Sequence, residues 1–269
     1  MPEPVRDAPD SAAAGGDAIV VRGLTKVFRK QTAVDHISFR VARGRFFGFL
    51  GPNGAGKSTT IRMLTGLLRP TEGNVEIEGR SLSGDLLGIK RLIGVLPEEL
   101  TLYERLTGEE YLHFAGRMYG LPRDETRRRT EELLEFLSLG DQRGKLIVDY
   151  SLGMKKKTAL AAALIHNPRL LFLDEPLNGI DPVSARVVTD LLRRLAQKGV
   201  TLFFTSHVLD VVERLCDEVA VIHEGRLIAQ GSLDQIRAQR EVGSDTSLED
   251  VFLKLVAADV SREDLSWIG

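Results

Sequence analysis

The sequence lacks several features, and each absence excludes a class of protein. It has one cysteine, Cys216, among 269 residues, so it cannot form an internal disulfide and suits a reducing compartment. No apolar run approaches the roughly 18 to 20 residues that a membrane-spanning helix needs. Lys and Arg total 36 against 38 Asp and Glu, so the net charge of −2 gives no overall attraction to nucleic acid or anionic lipid. Function must therefore come from local sites.

The first seventeen residues differ in composition from the rest of the chain. The stretch MPEPVRDAPDSAAAGGD lacks the charged start and the apolar stretch of a secretory signal. Its Pro, Ala, Gly and Asp residues cannot support a hydrophobic core. We therefore expect a disordered tail over residues 1–17.

From residue 18 onward, short apolar runs alternate with helical patterns. The strand-like runs are AIVV (18–21), GFL (48–50), LIGVL (92–96), LLFL (170–173), TLFFT (201–205) and VAVI (219–222). This alternation predicts an α/β fold with a largely parallel sheet. Between about residues 100 and 150 the pattern changes to amphipathic helix, as in EEYLHFAGRMYG, which predicts a helical insert.

A glycine-rich loop carries the most specific motif. GPNGAGKST follows the strand-like FFGFL and precedes a helix-like stretch, which is the context expected for G-x-x-x-x-G-K-[ST]. Glycines let backbone amides converge on phosphate oxygens, and the start of the following helix adds positive charge. Lys57 is expected to reach the β- and γ-phosphates, and the Ser58 hydroxyl to bind Mg²⁺. The predicted phosphate-binding loop comprises Gly51, Pro52, Asn53, Gly54, Ala55, Gly56, Lys57, Ser58 and Thr59.

Two further strand-like runs end in residues suited to catalysis. RLLFLDEP delivers Asp174 and Glu175 at the carboxyl end of a strand, where open α/β sheets bind their ligands. Asp174 suits the Mg²⁺ shell, and Glu175 suits the general base that orients water for attack on a γ-phosphate. The third motif, TSH, places His207 where it could donate a hydrogen bond to the γ-phosphate.

The stretch YSLGMKKK stands directly before the apolar run TALAAALI. Ser151 is a good N-cap for a helix over this run, so its hydroxyl and the nearby amides would form an anion site at a helix start. The three lysines that follow are expected to solvate the outer face of the helix. An ordinary capped helix without a ligand remains the alternative.

Taken together, GPNGAGKST, LLFLDEP and TSH resemble, in order and spacing, the motifs of ATP-binding cassette (ABC) ATPases, the motor subunits of ABC transporters. The resemblance covers about residues 18–235. It implies a P-loop NTPase fold of the RecA-like type, with a mostly parallel sheet, a helical insert and an N-terminal antiparallel β subdomain. The remaining residues, 236–269, would form a helical extension, a segment similar to that of cassettes paired with separate export-type permeases.

Within this resemblance, YSLGM occupies the place of the family signature, usually LSGGQ. Ser151 and Gly153 match the family's serine and second glycine, whereas Tyr150, Leu152 and Met154 depart from the usual residues. In the family this site faces the γ-phosphate bound by the other subunit. The resemblance therefore implies that two chains bury two Mg-ATP between them, and that Ser151 and Gly153 act in trans. A homodimer is the expected form, and a different second cassette stays open.

The resemblance also implies roles for four further residues outside these motifs. Phe28 would stack on adenine, with a core phenylalanine as the alternative. Asn178, Gly179 and Asp181 in LNGID would contact the opposite subunit, and Asp181 followed by Pro182 is also a good helix start.

The clearest departure from the family is Glu98, because the family normally has glutamine there. A third acid, beside Asp174 and Glu175, would favour direct ligation of Mg²⁺ or weaken ATP binding. The sequence leaves both open.

The function implied is an ATP-binding and ATP-hydrolysing subunit that drives a separate integral membrane permease, with export indicated weakly by the end of the chain. The helical insert, including Tyr103, would dock on the permease, and the chain would lie on the cytoplasmic face of the membrane. The main alternative is a cassette with a soluble client, such as an assembly factor. A cassette acting on nucleic acid is disfavoured because the chain has no strong basic surface. A purely structural module is disfavoured because the catalytic positions carry apt residues.

Overall fold

The computed structural model describes residues 16–239 and Phe252. The predicted tail lies mostly outside these residues, but Asp17 belongs to the first strand and pairs with Ala42, so the tail boundary at residue 17 is wrong. Most of the predicted helical extension also lies outside the described residues. A helix over Leu233–Gln239 crosses its predicted start, so the boundary between 235 and 236 does not separate two elements.

Ten strands and eight α-helices make up the described part of the chain. The strands are β1 (Asp17–Phe28), β2 (Gln31–Ala42), β3 (Phe46–Leu50), β4 (Glu72–Ile77), β5 (Arg80–Ser81), β6 (Ile93–Leu96), β7 (Leu170–Asp174), β8 (Thr201–Ser206), β9 (Glu218–His223) and β10 (Arg226–Gly231). The helices are α1 (Lys57–Leu64), α2 (Leu86–Leu92), α3 (Gly108–Met118), α4 (Arg123–Phe136), α5 (Leu152–Leu164), α6 (Pro182–Gln197), α7 (Leu209–Leu215) and α8 (Leu233–Gln239).

The strands form two sheets. The larger has the order β10-β9-β3-β8-β7-β6, in which every neighbouring pair is parallel except β10 with β9. The smaller, β2-β1-β4-β5, is antiparallel and comes mostly from the N-terminal part of the chain. This confirms the predicted α/β fold, with its mostly parallel sheet and its separate antiparallel sheet.

The parallel sheet is buried on both faces, which explains why its strands are apolar along their whole length. In β7, Leu171 and Leu173 pack among helices on one face, while Leu170 and Phe172 belong to the core on the other. Phe203 of β8 lies at the centre of this second core. Its ring centroid is 5.3 to 6.0 Å from those of four other rings, namely Phe39, Phe47, Phe49 and Phe172.

The segment between β6 and α5 is helical, with α3 and α4 packed against each other and against α5. α3 begins with a capping box: the Thr107 hydroxyl accepts from the Glu110 amide, and the Glu110 carboxylate accepts from the Thr107 amide. Among the described residues, no helix combines the length and apolar character needed to cross a bilayer. Cys216 is buried, and this burial raises the pKa of its thiol, as expected for a small core residue.

Candidate active site

The three predicted catalytic motifs lie at the ends of neighbouring strands. β3 pairs with β8 and β8 pairs with β7, all in parallel, so their carboxyl ends meet at one edge of the sheet. The glycine-rich loop follows β3, Glu175 follows β7 and His207 follows β8. The fold therefore brings together motifs that are about 30 to 150 positions apart in the sequence.

The glycine-rich loop packs tightly against the antiparallel sheet. Gly56, directly before α1, has φ of +110°, and a Cβ there would lie 2.7 Å from the carbonyl oxygen of Ala33, so only glycine fits. The side chain of Lys57 is 7% exposed. Its Nζ donates to the carbonyl oxygens of Gly51 (2.7 Å) and Pro52 (3.2 Å), which holds the ammonium over the loop.

A threonine on the central strand fixes both carboxylate residues. Thr205 Oγ1 donates to Asp174 Oδ1 at 2.7 Å and accepts from the backbone amide of Glu175 at 3.0 Å. Both carboxylate residues are buried, at 4% and 5% exposure. Glu175 also has φ of +47°, a left-handed conformation that L-residues rarely adopt. The chain therefore turns sharply at the residue that carries the proposed base.

The side chain of Glu175 lies between the two other catalytic candidates. His207 Nδ1–H donates to Glu175 Oε2 at 2.9 Å, and Lys57 Nζ is 3.7 Å from Oε1. Oε1 is buried and has no hydrogen-bond partner among the described residues. Since an unpaired buried acceptor is unfavourable, this oxygen has capacity to accept a proton or a hydrogen bond from a bound water. The His207 side chain is 46% exposed and can face a ligand.

The oxygen atoms at this edge suit Mg²⁺, although the described residues contain no group of three or more His, Cys, Asp or Glu that could hold a metal alone. Mg²⁺ typically takes one or two protein oxygens and completes its shell with phosphates and water. The Asp174 carboxylate and the Ser58 hydroxyl, in the first turn of α1, fit that chemistry. Glu98, two residues after β6, is exposed.

The helix start predicted at YSLGM is present. Ser151 is the N-cap of α5 and its hydroxyl accepts from the Met154 amide at 3.2 Å, as predicted. Ser151 and Leu152 are exposed. Tyr150 is instead buried, and its hydroxyl donates to the carbonyl oxygen of Gln142 at 2.7 Å. The tyrosine that replaces the usual leucine therefore ties this loop to the helical segment.

The prediction that the lysines solvate the outer face of α5 is wrong for two of the three. Lys156 is 4% and Lys157 is 6% exposed. Lys156 Nζ donates to the carbonyl oxygens of Glu175 (2.8 Å) and Asn178 (2.6 Å). Burial lowers the pKa of Lys156, and the nearby carboxylates of Glu175, Glu98 and Asp174 oppose that shift.

The loop after Glu175 packs on the start of α5. A Cβ on Gly179 would lie 3.0 Å from Leu152 Cδ2. Asp181 caps α6, with Pro182 as its first residue, as predicted, and its Oδ1 accepts from the Ser184 amide at 2.9 Å. This hydrogen bond lowers the pKa of Asp181.

Phe28 ends β1 and is 46% exposed, so the alternative of a core phenylalanine is wrong. Lys26 Nζ lies 5.1 Å from the centroid of its ring. The neighbouring strand β2 contributes Ala33, whose carbonyl oxygen faces Gly56 of the glycine-rich loop. The exposed ring therefore belongs to a hairpin that borders the loop.

An open cavity of about 330 Å³ lies between the parallel sheet and the helical segment. Beside it lies an aromatic cluster of Tyr103, Tyr111 and Phe114. The ring centroid of Tyr103 is 5.3 Å from that of Phe114 and 6.2 Å from that of Tyr111. Tyr103 is 59% and Phe114 is 42% exposed, whereas Tyr111 lines the cavity. Tyr119, on the same rim, stacks on His166 with centroids 3.6 Å apart.

Sequence reasoning missed two residues that organise the site, Thr205 and Lys156. Thr205 is part of the motif TSH. A hydroxyl near the end of a mostly apolar buried strand indicates a hydrogen-bond partner close by, so the sequence did contain a signal for it. Lys156 lies one turn into a helix that is apolar on nearly every side. A lysine at such a position is normally buried with a partner, but no sequence pattern names that partner.

Comparisons with known proteins identify the family of this chain. The model of the ABC transporter family matches residues 34–178. The linearmycin resistance ATP-binding protein LnrL of Bacillus subtilis is 40% identical over 226 residues, which cover 84% of this chain and 72% of that protein. The daunorubicin/doxorubicin resistance ATP-binding protein DrrA of Streptomyces peucetius is 41% identical over 82% of this chain and 67% of its own length.

A solved structure of an ATP-binding subunit of an ABC transporter superposes with a TM-score of 0.83 at 34% identity, covering 88% of this chain and 99% of that one. The family match spans more than half of the chain and includes both the glycine-rich loop and the residues after β7. The chain therefore belongs to the ABC transporter family, as an ATP-binding and ATP-hydrolysing cassette.

Proposed function

We propose that this cassette closes as a dimer around two Mg-ATP and thereby drives a separate membrane permease that exports its substrate. The ATPase activity is supported chiefly by one observation: Lys57, His207 and the Glu175 carboxylate, whose Oε1 accepts no hydrogen bond among the described residues, converge at one edge of the sheet. The coupling to a permease is supported by the exposed aromatic cluster and by the relatives, two of which are named for resistance to antibiotics.

At the nucleotide, each residue has one role. Gly51 to Thr59 cradle the phosphates, Lys57 binds the β- and γ-phosphate oxygens, and Phe28 stacks on the adenine. Glu175 accepts the proton of the attacking water through Oε1, while His207 bridges Glu175 Oε2 and the γ-phosphate. Ser58 and Asp174 would hold Mg²⁺, which neutralises charge on the phosphates when bound.

The second chain supplies what this site lacks. Ser151 and Leu152 are exposed at the start of α5, and among the described residues the Ser151 hydroxyl bonds only the Met154 amide. In the dimer, the hydroxyl of Ser151 and the backbone of Gly153 contact the γ-phosphate bound by the partner. Asn178, Gly179 and Asp181 face the same partner, because their loop packs directly on Leu152.

The aromatic cluster and its adjoining cavity form the docking surface for the permease. Exposed aromatic side chains next to an apolar groove are typical of protein interfaces, where they bury a large area at little entropic cost. Docking there places the cassette at the cytoplasmic face of the membrane. Both of these relatives are named for resistance, and a transporter that gives resistance by removing a compound from the cell is an exporter.

An affinity pull-down from gently solubilised host membranes tests this surface. We expect the tagged parent protein to recover a multi-span membrane protein, and Phe114→Ser to recover several-fold less because it removes an exposed ring of the cluster. Phe136→Ser is the matched control, since Phe136 is also a helical-segment phenylalanine of similar exposure, at 37%, but stacks on Arg194 instead. Quantitative mass spectrometry of the eluates measures how much of the membrane protein each variant recovers relative to the parent.

Recovery of soluble partners only would contradict the permease role and favour a cassette with a soluble client. Equal recovery of the membrane protein by Phe114→Ser and by the parent would remove the cluster from the docking surface, while leaving the permease role intact.

Glu98→Gln is expected to change the Mg²⁺ dependence of this cassette. The charges of Glu98, Asp174 and Glu175 all act on the Lys156 ammonium, so removing the charge of Glu98 alters the electrostatics around the proposed Mg²⁺ site. The measurement is a Mg²⁺ titration of both ATP hydrolysis and fluorescent-nucleotide binding, with Glu99→Gln, an exposed neighbour, as the control. Superimposable titration curves for Glu98→Gln and the parent would remove Glu98 from the metal site.

A further inference from the structure

Three consecutive lysines at the start of α5 have different partners. Lys155 Nζ donates to Glu104 Oε1 of the helical segment at 2.6 Å. Lys157 is buried, and its charge interacts with Asp181. Lys156 reaches the turn directly after β7, where its Nζ donates to the carbonyl oxygens of Glu175 and Asn178.

The peptide units around Glu175 are thus held from two sides. Thr205 on β8 accepts from the Glu175 amide, and Lys156 on α5 donates to the Glu175 carbonyl oxygen. Between these two contacts, the Glu175 backbone adopts its left-handed conformation, with φ of +47°. Contacts that fix the backbone on both sides set the direction of the Glu175 Cα–Cβ bond. The hydrogen bond from His207 then holds Oε2, so the backbone contacts and this bond together determine where Oε1 points.

We propose that Lys156 is a positioning residue for ATP hydrolysis, which holds the backbone of Glu175 and the turn to Asn178 in the conformation that aims the Glu175 carboxylate at the attacking water. The proposal rests on the proposed role of Glu175 as the base. In this role Lys156 acts through the backbone of Glu175 and Asn178, the two residues to which its Nζ donates.

The hydrogen bond from Lys156 to Glu175 connects the start of α5, where Ser151 lies, with the turn after β7. Lys156 lies five positions after Ser151 on the rigid helix α5, and its Nζ is bonded to the turn that carries Glu175. The lysine joins the signature of one chain to that chain's own catalytic carboxylate.

Steady-state ATPase kinetics on the full chain test the proposal. Lys156→Met keeps the length and apolar stem of the side chain but removes the donors. We expect kcat to fall by about 10²-fold, as for a misplaced catalytic group, with KM for ATP within about threefold of the parent because the phosphate loop is untouched. Lys155→Met is the matched control and should keep kcat within about threefold. Lys156→Arg restores two donors and should recover most of the lost kcat.

A double-mutant cycle with Glu175→Gln separates positioning from a merely structural role. If Lys156 acts through Glu175, then adding Lys156→Met to Glu175→Gln lowers kcat by less than about threefold further, since the base is already lost. Fully multiplicative losses in the double variant would overturn the proposal. If Lys156→Met gives no cooperative thermal melt, Lys156→Gln replaces it with the same expectation, because its shorter side chain cannot span both carbonyl oxygens.

The outcomes also separate this proposal from the proposed function. Near-parental kcat for Lys156→Met, together with a slow Glu175→Gln, would overturn the role of Lys156 alone. Near-parental kcat for Glu175→Gln would overturn the role of Glu175 as base, and with it the positioning role. A Lys156→Arg variant as slow as Lys156→Met would also count against positioning by the two donated hydrogen bonds.

Discussion

Glu175→Gln is expected to bind ATP as well as the parent protein does and to hydrolyse it about 10² to 10⁴-fold more slowly, the range that a general base typically contributes. Glutamine keeps the shape of the side chain and can still accept from His207 through its amide oxygen, but it cannot take a proton from water. Since the glycine-rich loop and Lys57 are unchanged, the loss appears in kcat. Steady-state hydrolysis and equilibrium binding of a fluorescent ATP analogue measure the two quantities separately.

A matched control is available at Glu99, an exposed acid outside the predicted catalytic set. Glu99→Gln makes the same chemical change and should keep kcat within about threefold of the parent, as is usual for surface substitutions. Turnover in Glu175→Gln that matched this control would exclude Glu175 as the base.

Lys57→Met is expected to weaken ATP binding and to lower turnover by about 10² to 10³-fold, the typical loss when one preorganised donor to the reacting group is removed. In the described structure, the Lys57 ammonium bonds the carbonyl oxygens of Gly51 and Pro52, so it is already positioned over the loop before phosphate arrives. The dissociation constant for ATP and kcat should therefore both change, unlike in Glu175→Gln.

Removing this lysine also has a structural effect, because the two loop carbonyls lose a buried charged donor. Each such loss typically lowers the free energy of unfolding by about 1 to 3 kcal/mol, which chemical denaturation without nucleotide can detect. Lys198→Met, an exposed lysine at the end of α6, is the control for the loss of a positive charge. Unchanged ATP affinity in Lys57→Met would contradict the assignment of Lys57 to the phosphates.

Much of the fold could be predicted because its causes are local. The short, largely apolar runs in β3, β7 and β8 predict buried strands of a parallel sheet, and the polar residues that follow them predict the edge where the site forms. The caps at Ser151 and Asp181 were also readable, since both side chains satisfy amides three residues further along.

The wrong and missing predictions involve partners that are distant in sequence. The lysines after Met154 were predicted to face solvent because charge normally does, yet the exposure of Lys156 depends on the turn at Asn178, which packs on α5 only in the folded chain. The contact of Thr205 with Asp174 likewise depends on the register of β7 against β8. Such tertiary contacts have no counterpart in local patterns.

The left-handed backbone at Glu175 has a consequence for evolution of the protein. A non-glycine residue in this conformation costs of order 1 to 3 kcal/mol, and here the side chain that incurs the cost is the one proposed to do the chemistry. Glycine would relieve the strain and abolish the carboxylate. Selection for a more stable chain and selection for a faster one therefore pull in opposite directions at this position, and hydrolysis is retained at the expense of stability.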